Sequence, residues 1–185
     1  MQLRTLACSR SLCATVRQPR FPHSTPMLQV FVLTLALLSL ALLLGASAYE
    51  SVVMAPNFQR DLPRSLHIAQ DFLQRPTPAG FFRPLAPLSQ LLLLASVVTC
   101  WSLPALRWAS VTAFAAMVLV DVITFSYHYP RLRIMFHVPP IEDPAILGKA
   151  AREWAAGNLV RVALMLIAFL ATLHVLTSVR VGLTS

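Results

Sequence analysis

Two short runs in an otherwise apolar chain hold residue types that could do chemistry. The first is Asp121, Thr124 or Phe125, and His128, which helical spacing places on one face. The second is Trp154, Asn158 and Arg161, spaced i, i+4 and i+7 so that they share another face. A carboxylate or imidazole could act as general base, and a guanidinium with an amide could hold an anion. An ionised side chain at mid-bilayer costs about 2.5–3.5 kcal/mol on insertion scales, so each one needs a reason. If the two helices pack antiparallel, Asp121 and His128 approach Asn158 and Arg161, and an Asp121–Arg161 pair relieves both charges. A structural reading stands beside the chemical one. The pair could be a clamp that fixes helix register, with Trp154 and Asn158 as interfacial anchors and His128 as an aromatic-belt residue. Tyr49, Glu50 and Asn57 arrive at the same membrane face, so the polar inventory gathers at one end of the bundle.

Other chemistries lack their residues. His67 and His137 read as ordinary loop histidines. His174 falls on the far side of the bilayer, ~24 Å from His128 at 1.5 Å per helical residue, which argues against a bis-histidine haem. No HxxE or HExxH spacing occurs, so no metal site is expected. Cys8, Cys13 and Cys100 form no CxxC pair, which removes a disulfide oxidoreductase and a zinc site.

The elements that must position these residues are membrane helices. Of 185 residues, 57% are hydrophobic and 12% charged, about half the charged fraction of a soluble domain. Lipid covering the outside accounts for that deficit. The net charge of +8 comes from arginines beside apolar runs, not from a stripe with interleaved aromatics, so a lipid bilayer is the expected partner and nucleic acid is not. Four spans follow from the apolar runs: about 27–49, 87–103, 108–127 and 158–178. The fold class is an all-α transmembrane four-helix bundle over residues 27–180.

Residues 1–26 form a basic tail without an acid, open to four readings: a transit peptide, a cytoplasmic tail, the start of a signal anchor, or an upstream extension before Met27. Cleavage after GASA competes with the first run's being a span, but the run is longer than a secretory apolar core. Between the first two spans, Asp61 and Pro63 could open a short surface helix with Leu66, Ala69, Phe72 and Leu73 on one face, and RPTPAGFFRPLAP reads as an irregular entry. Asp143 before Pro144 fits an N-cap that opens the last helix. Basic residues near the short connections place both termini in the cytoplasm, at the cell's inner membrane.

The sequence resembles the anthrone oxygenase-like family of small integral membrane proteins. The likeness rests on DVITFSYHYPRLRI late in the third span, a Pro-rich loop, and WAAGNLVR opening the last span, and it covers residues 28 to about 178. Its most specific part is the W-x3-N-x2-R pattern of Trp154, Asn158 and Arg161. Pro130 matches the proline after the third span, whereas Leu132 stands where the family often has Asn. The resemblance implies cofactor-free oxidation of a lipophilic aromatic, an anthrone or quinol, by O2, using no metal or flavin. It implies Asp121 or His128 as base, Arg161 with Asn158 holding the anion, and Trp154, Tyr49 and Asn57 near the substrate. Because pairing to Arg161 would weaken Asp121 as a base, His128 is the expected one. The competing function is a non-enzymatic accessory subunit or small-solute carrier with a structural charge pair.

Overall fold

A computed structural model describes residues 26–74 and 78–184. The basic tail, with its readings as targeting segment or extension, lies outside the described residues. The described residues form five helices: α1 (Pro26–Gln59), α2 (Arg64–Phe72), α3 (Pro78–Thr99), α4 (Pro104–Met135) and α5 (Pro144–Thr184). There is no strand among the described residues. All except α2 are long and apolar enough to cross a membrane. The protein is an integral multi-pass membrane protein built as an all-α bundle.

The four long helices form a ring in the order α1, α3, α4, α5. Each packs on its two neighbours, and the diagonal pairs share no extended face. Side-chain bonds fix the directions. Gln29, early in α1, donates to the Thr99 carbonyl that ends α3. Asn158 of α5 meets Ser47 near the end of the apolar part of α1, and Ser96 of α3 meets Ser110 of α4 at 3.4 Å. Neighbours are therefore antiparallel, and both chain ends of the bundle lie together. Close approach relies on small inward residues, Ser39, Ser47, Ser89, Ser96 and Ser110, all buried. Large apolar residues such as Leu38, Leu91, Val98, Leu119 and Leu170 face outward, as lipid-facing positions do.

The helices extend past the apolar runs. α5 has 41 residues, or ~60 Å at 1.5 Å per residue, about twice the hydrocarbon thickness. Its inward residues recur every three or four positions, from Leu147 through Trp154, Asn158 and Arg161 to Val175 and Val179. The first part of α5, the end of α1, the end of α4 and α2 enclose a separate cap core around Phe58, Leu66, Met135 and Trp154. Arg131–Glu153 at 3.0 Å ties that cap together, with Lys149 at 4.0 Å from the same carboxylate.

Two stretches differ from the expectations. Residues 78–86, expected to be irregular, are helical, and α3 carries Pro84 and Pro87 in its interior. Pro78 supplies a first helical residue whose missing N–H costs nothing, and neighbouring helices support the later breaks in bonding. α2 does pack through Leu66, Ala69 and Leu73, but Phe72 is 83% exposed. Asp143 does cap α5: its Oδ1 accepts from the Ala145 amide at 2.8 Å and the Ile146 amide at 3.4 Å.

The α4–α5 contact is tight at Gly157, where an added Cβ would stand 2.9 Å from the Tyr127 ring. Gly157→Val should therefore lower thermal stability in detergent by about 1–3 kcal/mol through overpacking. Gly45→Ala, with nothing within 4 Å of its Cβ, should hold or raise it by about 0.5–1 kcal/mol through helix propensity.

Candidate functional site

The site begins with two turns of helix wider than the rest. Residues Glu50–Met54 of α1 and Thr124–His128 of α4 are π-helical, a form that inserts one residue and turns later side chains onto a new face. On α4 the inward residues run Ala113, Met117 and Val120, then His128. Regular 3.6-residue spacing would bring residue 127 inward; the wide turn delivers His128 instead. Asp121 keeps the orientation of the regular helix and faces α3.

That rotation sends His128 to α5 while Asp121 stays toward α3, so the two do not share the face that regular spacing gives them. Asp121 accepts a hydrogen bond from Gln90 Nε2 at 2.8 Å. None of the ion pairs among the described residues joins Asp121 to Arg161, so the expected intramembrane charge pair is not a direct contact. Arg161, 5% exposed, instead donates through Nη1 to Asn158 Oδ1 at 2.9 Å and to His128 Nε2 at 3.0 Å. The Asn158 amide donates in turn to the Ser47 carbonyl at 2.9 Å and to Ser51 Oγ at 2.8 Å. One cation thus links α1, α4 and α5.

The bond from Arg161 fixes the tautomer of His128. A guanidinium has only donors, so His128 Nε2 must present its lone pair, and the ring proton of the neutral imidazole sits on Nδ1. The imidazole lies against the Trp154 indole, with ring centroids 5.2 Å apart and planes 34° apart. Phe58 continues the aromatic wall, 5.6 Å from Trp154 and 5.8 Å from Phe136.

These rings border a cavity of about 580 Å³ between the bundle and its cap, within the usual size range for a small-molecule site. Met54, Phe58, Leu73, Leu132 and Phe136 make it apolar, while Glu50, His128 and Trp154 contribute to its buried wall. Each of those three also holds a buried polar atom without a hydrogen-bond partner: Glu50 Oε2, His128 Nδ1 and Trp154 Nε1. Such atoms are costly unless something satisfies them.

The residues singled out from sequence therefore divide. His128, Trp154, Asn158 and Arg161 meet in one connected group. Asp121 sits beside it with Gln90. Tyr49 is 57% exposed, and the Asn57 amide bonds back to Val53 O of its own helix at 2.7 Å; neither lines the cavity. Gln90, Ser47 and Ser51 were not singled out. Gln90 could have been noticed as a lone amide in an apolar run, whereas two serines among many carry no such signal. Among the described residues, no three His, Cys, Asp or Glu side chains are placed to hold a metal ion. Compared with family models, curated proteins and solved structures, the chain finds no match.

Removing Asn158 should be costly because it leaves Arg161 short of an acceptor and removes the hydrogen bonds from α5 to Ser47 and Ser51 of α1. Asn158→Ala is expected to lose at least about 1.5–3 kcal/mol, the usual worth of a hydrogen bond to a charged group. Asp121→Asn, which still accepts from Gln90, should lose much less. Thermal unfolding of both variants in the same detergent measures the difference.

Proposed function

We propose that the cavity binds a planar lipophilic aromatic molecule with an oxygen function, and that the protein oxidises it with O2 without a cofactor. The observation that carries this reading is the apolar cavity whose buried wall brings together Glu50, His128 and Trp154. The W-x3-N-x2-R likeness to the anthrone oxygenase-like family supports it, since Trp154 borders the cavity and Asn158 and Arg161 hold His128. For an anthrone the reaction is anthrone plus O2 giving anthraquinone plus water. The substrate loses a proton from carbon, and the resulting carbanion is electron-rich enough to reduce oxygen.

Within this reading the roles shift from those read in the sequence. His128 presents a lone pair to Arg161, so it is a hydrogen-bond donor through Nδ1 and not the base. Asp121 is bound to Gln90 and does not line the cavity. Glu50 is the carboxylate on the cavity wall and takes the base role. His128 and the Trp154 indole N–H serve the developing oxyanion, with Arg161 polarising His128 from behind. Tyr49 and Asn57 have no part. We place both termini on the cytoplasmic side of the cell membrane, on the basic residues at the short connections.

A second reading has its own observation: Asn158 and Arg161 use their hydrogen bonds to join three helices, as a structural clamp in a non-enzymatic subunit or carrier would. Turnover separates the two. Protein in nanodiscs, given anthrone under air, should form anthraquinone and consume O2 above the uncatalysed rate. Glu50→Gln should lower kcat by about 10²–10⁴-fold, the range for general-base catalysis. A folded wild-type protein that leaves the rate at background would favour the clamp.

A further inference from the structure

The wall of the cavity carries two kinds of polar residue at different depths. His128 and Trp154 are buried, and Glu50 is half-buried beside them; Arg133 is exposed and yet lines the same cavity. The end of α4 presents Tyr129, Leu132, Arg133 and Phe136 to it, the i, i+3, i+4 and i+7 positions of one face. Two arginines occupy this short stretch with opposite fates. Arg131 is fully engaged: its Nε donates to Glu153 at 3.0 Å, its Nη1 donates to Tyr127 O at 3.1 Å, and its guanidinium lies 3.7 Å from the Tyr127 ring centre. Arg133 makes no hydrogen bond or ion pair with any described residue.

An unengaged guanidinium on the open side of an apolar cavity selects for what the ligand carries there. Its fork of donors suits a planar carboxylate in a bidentate pair. The charge balance points the same way. Arg133 on the wall and Arg161 behind it outweigh the single carboxylate of Glu50, which disfavours a cationic ligand despite the aromatic walls. We infer that Arg133 is a specificity residue and that the cavity takes aromatic acids, with the ring system against Phe58 and Trp154 and the acidic group at Arg133. This rests on the aromatic-binding reading above and names its substrate class.

A matched ligand pair tests the inference: a tricyclic aromatic carboxylate and its carboxamide, equal in shape and differing in charge. Binding to the full-length protein in phosphatidylcholine nanodiscs is measured by quenching of tryptophan fluorescence and by calorimetry. The wild type should prefer the carboxylate by about tenfold, the low end for a charge-assisted bond because the site is open to screening by salt. Arg133→Gln should bring the ratio to about one, and Arg133→Lys, which keeps the charge without the fork, should retain part of it. Equal binding of both ligands by the wild type, or a preference that survives Arg133→Gln, overturns the inference while leaving an aromatic site in place. Failure of both ligands to bind the folded protein would overturn the aromatic-binding reading itself, and this inference with it.

Discussion

A guanidinium buried among membrane helices has to be surrounded by acceptors, and in this protein that requirement falls on Arg161. It has no direct carboxylate partner among the described residues. Its Nη1 is satisfied by an amide oxygen from its own helix and an imidazole nitrogen from α4, while its buried Nε has no hydrogen-bond partner among the described residues. Asn158 can offer its oxygen because its nitrogen is already committed to α1. Three helices are thereby held at one level, and the bonds are directional in a way that apolar packing against lipid is not. An isolated charge at this depth would be severely penalised, so the network constrains the crossing points of α1, α4 and α5.

The two π-helical turns are the local adjustment that makes this network possible. The turn on α1 follows Ser47, whose carbonyl accepts from Asn158, and contains Ser51, whose hydroxyl also accepts. The turn on α4 ends at His128, delivering it to Arg161. Beyond both turns the helices leave the bundle and enclose the cap core with α2 and the first part of α5. The cavity lies at this change of register, where regular ring packing stops and cap packing starts. Its wall combines aromatic side chains from α1, α4 and α5 with an imidazole that the network has already oriented.

Orientation also sets which cavity-wall groups donate and which accept hydrogen bonds. An imidazole whose lone pair faces a guanidinium is a donor toward everything else. The group on the cavity wall that can still accept a proton is the carboxylate of Glu50. Asp121, the acid that stands out in the sequence, is satisfied by an amide across the α3–α4 contact. The most visible charge in a span is thus not the one that borders the cavity.

The sequence by itself determined the solvent and the class of fold. Long uncharged runs can satisfy their backbone in lipid only as helices, and four such runs make a bundle. It also determined the face shared by Trp154, Asn158 and Arg161, because α5 is regular and 3.6-residue spacing holds along it. Only the tertiary structure decided what that face meets. The reading that put Asp121 and His128 on one face assumed a regular helix, and one inserted residue at Thr124–His128 was enough to send them to different neighbours. The helix at residues 78–86 was hidden because prolines signal a break locally, whereas packing against other helices compensates for it. The same limit applies to Ser47, which matters through a backbone carbonyl, and to Arg133, set apart from Arg131 by a helix face alone. Spacing along a chain encodes periodicity within one element, but a change of helical pitch and the choice of neighbour depend on contacts between elements.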